Sequence, residues 1–323
     1  MVIAIIVICA VLALLALTTV FAAILHNLMF GKRSDKNPKL KYFTAKDFGL
    51  SVEPAEFKIG KNTVRGGIYR GKIQNSDNKT VVFCHGMGPG HIAYTTEIAT
   101  LCNAGFTVLA FDNIGCNLSD GKNIRGMYSG VQTAVNAVEY AKNNGFGEGK
   151  IYLCGHSWGG YSALCASKLT KVDGVVAISA PTSTTAMLGD ISFGKMSVIS
   201  SIFRPFLAVA LFFRFGKNGN MNASKAAEKC ACPVMLIHGD CDMTVNKGAA
   251  FNRAKKGNIT RYLANGKAHN PYNTPQAEKL LSELQISLAS GASDEYFKSF
   301  DFKAATEEDS EVMGAIVDFL KCN

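Results

Sequence analysis

The chain opens on an unbroken apolar run. Residues 2–25 contain no charged side chain, and their only hydroxyls are Thr18 and Thr19. As a helix rising about 1.5 Å per residue, this run reaches roughly 36 Å, enough to cross a ~30 Å hydrocarbon core with some tilt. Residues 31–53 are then polar and lysine-rich, the pattern of a linker. Beyond them, short apolar runs alternate with stretches of helical spacing. The runs at 56–59, 63–70, 80–84, 106–111, 150–154, 174–179, 233–238 and 259–263 predict strands. The stretches at 92–103, 131–143, 158–169 and 311–320 predict helices. Strands that are apolar throughout and separated by helices predict an α/β fold, a mostly parallel sheet covered on both faces. The rhythm breaks between Pro181 and Cys232, a stretch rich in Ser, Phe, Met and Gly that reads as a helical cap over the sheet's C-terminal edge. The expected organisation is an N-terminal transmembrane anchor over residues 1–27, a basic juxtamembrane linker over 28–54, and an α/β domain over 55–323 with the cap inserted at about 182–231.

Composition adds three constraints. A chain of 323 residues, 48% hydrophobic, suits one large domain with an extra element. The net charge of +9 is spread along the chain with no long basic run interleaved with aromatics, which argues against a nucleic-acid partner. The densest basic stretch, Lys32, Arg33, Lys36, Lys39 and Lys41, directly follows the apolar segment. There it suits anionic lipid headgroups, at about 1 kcal/mol per charge. The same asymmetry places the α/β domain on the cytoplasmic side. A cleaved signal peptide is the competing reading. It wants a basic stretch before a shorter apolar core, although Ala22 and Ala23 suit a cleavage site. The ten cysteines show no C-x-x-C spacing, and Cys230 and Cys232, two apart, make a poor metal pair. They read as free thiols of a reducing compartment, with Cys84 and Cys154 serving as small hydrophobes on buried strands.

The chemistry centres on Gly155-His156-Ser157-Trp158-Gly159-Gly160, which follows a predicted strand and opens a predicted helix. This is G-x-S-x-G in its strand–turn–helix context. The tight turn needs small residues on both sides of the serine, and it pushes the Ser157 Oγ out at a helix N-terminus that favours negative charge. A serine nucleophile needs a base, and the base an orienting acid. His269 is the one histidine that follows the candidate acids, in the loop Ala264-Asn265-Gly266-Lys267-Ala268-His269. Asp240 and Asp242 compete as the acid, just past the strand at 233–238. An oxyanion needs preorganised N–H donors, and the backbone N–H of Trp158 is the first of them.

Here the chain resembles the α/β-hydrolase superfamily. The run His238-Gly239-Asp240-Cys241-Asp242-Met243-Thr244-Val245 is similar to that family's H-G-x-x-D-x-x-V acid turn, which selects Asp242. His85-Gly86-Met87 resembles its H-G-x motif. The resemblance implies that the Met87 N–H is the second oxyanion donor and that His85 is structural, bracing its loop. The run from Asp112 to Gly121 resembles the D-x-x-G-x-G-x-S turn, with Asn117 where a glycine is often found, and reads as scaffold. The resemblance covers residues 63–323 and is nearest to the serine-aminopeptidase-like and monoacylglycerol-lipase-like group. It implies a serine hydrolase of carboxylic esters, with an acyl ester or lipid as substrate and neither a metal nor an organic cofactor, and the N-terminal apolar segment adds the membrane tether. An aminopeptidase or thioesterase of the same fold is the alternative. The former wants an anion in the cap for a substrate ammonium, and the cap offers only Asp190 and Glu228 among several cations. A non-catalytic membrane adaptor would have no need of Ser157, Asp242 and His269 together. The cap's apolar stretch at 193–215 is broken by Lys195, Arg204 and Arg214, and Pro205 is expected to divide it into two short helices. Its phenylalanines, Phe203, Phe206 and Phe212 among them, are expected either to line an acyl tunnel resting partly in the membrane interface or simply to pack on the core.

Overall fold

Along the strand Ile151–His156, Ile151 and Leu153 enter one apolar layer while Tyr152 and Cys154 enter the other. A strand buried on both faces needs helices on both, and the computed structural model has that arrangement. It describes residues 1–73, 78–146, 148–193, 197–245 and 249–323. The strands are β1 (Ser51–Ile59), β2 (Asn62–Arg70), β3 (Thr80–Cys84), β4 (Thr107–Phe111), β5 (Ile151–His156), β6 (Gly174–Ile178), β7 (Val234–Gly239) and β8 (Ile259–Ala264). They form one sheet in the order β1-β2-β4-β3-β5-β6-β7-β8. β1 and β2 run antiparallel at one edge and β3 to β8 run parallel. The helices are α1 (Val2–Phe30), α2 (Thr95–Asn103), α3 (Met127–Asn143), α4 (Trp158–Ala166), α5 (Thr184–Phe193), α6 (Ser197–Phe215), α7 (Ala223–Glu228), α8 (Ala250–Arg253), α9 (Pro275–Ala289), α10 (Asp294–Ser299) and α11 (Ser310–Cys322). α3, α4 and α7 cover one face, with Val131, Val138, Leu164 and Ala226 in the core. α2 and α11 cover the other, with Ile98, Leu101, Ile316 and Leu320.

Three local outcomes depart from the sequence reading. β1 begins at Ser51, inside the expected linker, because its backbone pairs with β2 as far as Ser51↔Arg70 although its side chains there are exposed. α6 continues through Pro205 instead of breaking into two helices. The proline removes one donor and costs about 3 kcal/mol. Burial of Leu207 and Leu211 and packing of α6 against α1 outweigh that cost. α9, absent from the predicted elements, starts with Thr274 capping the Ala277 N–H and Pro275 in its first turn, a start signal that was present in the sequence. Of the cap stretch, Lys195 and Met196 lie outside the described residues.

The N-terminal helix is also not an independent appendage. Its first two-thirds expose Ile3, Ile6, Leu12, Leu14, Leu17 and Val20. Its last turns bury Ala22, His26 and Phe30, spaced four apart on one helix face. Phe21 meets Phe203 of α6 edge-on at 5.4 Å, and His26 lies 6.0 Å from the Phe215 ring. Gly126, at φ +149°, makes this fit possible, since a Cβ there would sit 2.8 Å from the His26 Nε2. The basic linker is docked as well. The Arg33 guanidinium donates to the carbonyls of Asn117, Ser119 and Gly121. Lys39 pairs with Asp294 at 3.2 Å and lies over the Phe297 ring.

Two truncations test this docking. Removing residues 1–20 is expected to leave the thermal midpoint within about 1 °C. Removing residues 1–30 also strips the buried turns, a loss of about 2–3 kcal/mol, and is expected to lower the midpoint by about 5 °C or more. Equal midpoints by calorimetry would show that the helix end contributes nothing to the domain.

Candidate active site

The site forms where β3, β5, β7 and β8 end on the same edge of the sheet. β5 stops at His156, and the chain reverses at Ser157 with φ +54° and ψ −114° before α4 begins at Trp158. The Ser157 N–H donates to the Ile178 carbonyl of β6 at 2.8 Å, which fixes the turn to the sheet. Gly159 is required by contact, since a Cβ there would lie 1.8 Å from the Cys84 carbonyl oxygen at the end of β3.

The structure brings three of the expected residues into one chain of hydrogen bonds. The Ser157 Oγ lies 3.0 Å from the His269 Nε2, and the His269 Nδ1 lies 2.8 Å from the Asp242 Oδ2. With the proton on Nδ1, the ring donates to the carboxylate and accepts from the serine hydroxyl. The other oxygen of Asp242 accepts the backbone N–H groups of Thr244 and Val245 at 2.8 and 3.0 Å. Burial works to raise the Asp242 pKa, but the His269 bond and charge and the Val245 N–H outweigh it and hold the pKa below the ordinary carboxylate value. Asp240, the competitor, is exposed and accepts the Gly266 N–H at 2.7 Å in a surface turn.

Met87 and Trp158 come from neighbouring strand ends. Cys84 of β3 pairs with Gly155 of β5, so the residues that follow each strand emerge side by side. Trp158 occupies the first turn of α4, where an N–H has no intrahelical acceptor. His85 braces the Met87 loop. Its Nδ1–H donates to the Gly86 carbonyl at 2.6 Å, and its Nε2 accepts the Asn113 N–H at 2.9 Å. Burial lowers its pKa to about 4, so it is neutral and both its nitrogens are engaged.

A second layer was not apparent from the sequence. The Gly86 N–H donates to the Tyr94 hydroxyl at 3.1 Å, the Tyr94 hydroxyl lies 2.9 Å from the His156 Nδ1, and the His156 Nε2 donates to the His269 carbonyl at 2.9 Å. One side-chain relay thus joins the Met87 loop, the serine turn and the His269 loop. Burial, followed by the nearby His269 charge, lowers the His156 pKa to about 3. His156 was visible only as the variable position of the motif, and Tyr94 carried no sequence signal at all. The Asp112 turn behaves as scaffold. Its buried carboxylate accepts from the His91 N–H and Nδ1 and from the Leu118 N–H, and Asn117 takes the left-handed conformation (φ +36°) that favours a glycine there.

Of the three cap phenylalanines, Phe203 and Phe206 meet with ring centroids 6.1 Å apart and pack on the same core, and Phe212 stands apart from them. Phe203 packs on Phe21 and Phe206 on the core side of α6. Phe212, nine residues beyond Phe203 and so on the opposite helix face, is exposed. Among the described residues, no group of three or more His, Cys, Asp or Glu is arranged to hold a metal ion.

Comparison with known proteins agrees with this architecture. Residues 81–273 match the alpha/beta hydrolase family. Two proline iminopeptidases match over part of their length. That of Saccharolobus solfataricus is 31% identical over 123 residues, 38% of each chain, and that of Thermoplasma volcanium is 32% identical over 93 residues, 29% of this chain and 30% of the relative. The chain thus spans well under half the length of the curated relatives it matches. An esterase of Pyrococcus furiosus superposes with a TM-score of 0.57 at 20% identity, over 80% of this chain and 97% of its own. An alpha/beta hydrolase of Penicillium sp. sh18 superposes with a TM-score of 0.51 at 16% identity, over 74% and 98%. At such identities the superpositions speak for the fold alone. The matched stretch begins in β3, runs past His269 and takes in more than half of the chain, and the protein belongs to the alpha/beta hydrolase family.

Proposed function

We propose that the protein is a membrane-tethered serine hydrolase that cleaves carboxylic esters through Ser157, His269 and Asp242. The observation that carries this reading is the continuous hydrogen-bond chain from the Ser157 Oγ through both His269 nitrogens to the Asp242 carboxylate. In the proposed cycle, the His269 Nε2 takes the Ser157 proton as the Oγ attacks the acyl carbonyl. The backbone N–H groups of Trp158 and Met87 stabilise the oxyanion. His269 then protonates the leaving alkoxide, and water repeats the sequence to release the acid and restore Ser157. Asp242, held by two backbone donors, keeps His269 in the required tautomer and stabilises it when charged.

The tether reading rests on α1. About 20 residues precede its buried turns, and at about 1.5 Å per residue they reach roughly 30 Å, the thickness of a bilayer core. It is the one helix among the described residues that is long and apolar enough to cross a membrane. The cations that follow it favour a cytoplasmic domain.

The named relatives favour a second reading, an aminopeptidase that releases an N-terminal residue. A substrate ammonium would then need an anion above Ser157. Of the two acids in the cap stretch, Glu228 accepts the Lys255 N–H instead, and the Asp190 side chain lies outside the described residues. The anilide arm of the substrate panel below decides between the two readings.

Three measurements check these proposals. On p-nitrophenyl esters, Ser157→Ala and His269→Ala are each expected to lower kcat by at least about three orders of magnitude, and Asp242→Asn by about 10²–10⁴. Asp240→Asn should stay near the parent value, and the opposite ranking of the two aspartates would overturn the acid assignment. A panel running from acetyl to decanoyl esters, with proline p-nitroanilide alongside, is expected to show faster turnover of the esters than of the anilide. Faster release from the anilide would establish the aminopeptidase instead. The full chain is expected to stay with membranes through high-salt and carbonate washes, whereas a mature N-terminus near residues 21–25 would mean that the helix is removed.

A further inference from the structure

The cysteines fall into groups by environment. Cys84, Cys102, Cys116, Cys154 and Cys165 are buried in the core, and burial pushes their thiol pKa values up. Cys9, Cys241 and Cys322 are exposed and far apart in sequence. Cys230 and Cys232 differ from both groups. They lie between α7 and β7, with Cys230 half-buried and Cys232 nearly covered, and their sulfurs are 3.1 Å apart. The Ser167 Oγ, at the C-terminal end of α4, is 3.4 Å from the Cys230 sulfur. We propose that Cys230 and Cys232 form a reversible thiol–disulfide site, with Cys230 as the attacking and Cys232 as the resolving sulfur, that exchanges with small disulfides such as oxidised glutathione.

The arrangement divides the two roles. Cys230 is the accessible sulfur, so an incoming disulfide meets it first. The Cys232 sulfur lies 3.1 Å from it, and the Cys230 S–H can also reach the Ser167 Oγ, whose own hydroxyl donates to the Leu164 carbonyl. The contact with Cys232 is the main cause that favours the Cys230 thiolate despite partial burial. Cys232 is held as the thiol by the same contact. The Cys230 thiolate attacks one sulfur of oxidised glutathione, forming a mixed disulfide and releasing one glutathione thiolate. Cys232 then gives up its proton and attacks the Cys230 sulfur, which expels the second glutathione. Two protein thiols are oxidised by two electrons, and one glutathione disulfide is reduced to two thiols. Bringing the sulfurs from 3.1 Å to the ~2.05 Å of a disulfide needs a closure of about 1 Å. A loop this short gains little from chain-entropy, so the bond belongs with the readily reduced ones and not with structural disulfides.

The test uses the folded full chain, equilibrated over a series of reduced-to-oxidised glutathione ratios, quenched with acid, alkylated and digested with trypsin. One peptide, residues 230–247, carries Cys230, Cys232 and Cys241. In the oxidised buffers it is expected to be two hydrogens lighter, with a single alkyl group on Cys241, and to return to three alkyl groups in reduced buffer. Cys232→Ser is expected to accumulate glutathione on Cys230, and Cys230→Ser to accumulate none on Cys232. In the parent chain, limiting iodoacetamide is expected to label Cys230 about tenfold faster than Cys241. Near-ultraviolet dichroism checks that each variant is folded. Three alkyl groups at every ratio in the parent chain, or a disulfide that includes Cys241, would overturn the proposal.

Discussion

The backbone of Ser157 is held in a conformation that a serine in isolation avoids. A residue at φ +54° and ψ −114° costs about 1–3 kcal/mol, and three strands hold it there. β6 accepts its N–H through the Ile178 carbonyl. β5 delivers the chain into the turn, and the end of β3 presses so close that only glycine fits at position 159. Everything else at the site depends on this clamp. It aims the Oγ away from the sheet, begins α4 at Trp158, and sets the side-by-side exit of the β3 and β5 loops.

The histidines around this edge show how burial separates roles within one residue type. His85 and His156 are enclosed, their protonation is suppressed, and both nitrogens of each are engaged by neighbours. His91 lies against the Asp112 carboxylate and accepts the Tyr69 hydroxyl. His238 lies 3.8 Å from Asp242 but stacks on Phe251. His269 alone joins a carboxylate to the serine and retains some solvent contact, the combination a proton-transfer base requires. The relay from Gly86 through Tyr94 and His156 ties the Met87 loop, the serine turn and the His269 loop together, so that a shift in one loop is felt in the others.

The N-terminal helix has two parts with different physical roles. The leading turns present apolar side chains to the surroundings, while Ala22, His26 and Phe30 belong to the folded domain. The helix therefore fixes the orientation of α6, and with it the cap, relative to whatever surrounds the leading turns. Arg33 continues the attachment by binding three carbonyls of the Asp112 turn, so the linker is part of the scaffold from its first residues.

The sequence by itself determined the α/β alternation and the serine turn, because each is written in residues close together along the chain, whereas the choice of Asp242 over Asp240 needed a family resemblance. Apolar periodicity specifies strands buried on both faces, and glycines at 155 and 159 mark the turn. It did not determine what packs on what. The start of β1 at Ser51 depends on a backbone partner in β2 and not on an apolar pattern. The continuity of α6 through Pro205 depends on neighbours that outweigh a local penalty. The Tyr94–His156–His269 relay joins residues up to 175 positions apart in sequence, from Tyr94 to His269. Phe203, Phe206 and Phe212 looked alike in sequence, and the packing of α6 against α1 and the core took in the first two and left Phe212 exposed. Local pattern fixes elements because backbone propensity and periodic burial act over a few residues. Contacts between distant segments are settled only when the sheet closes and each side chain finds, or fails to find, a partner.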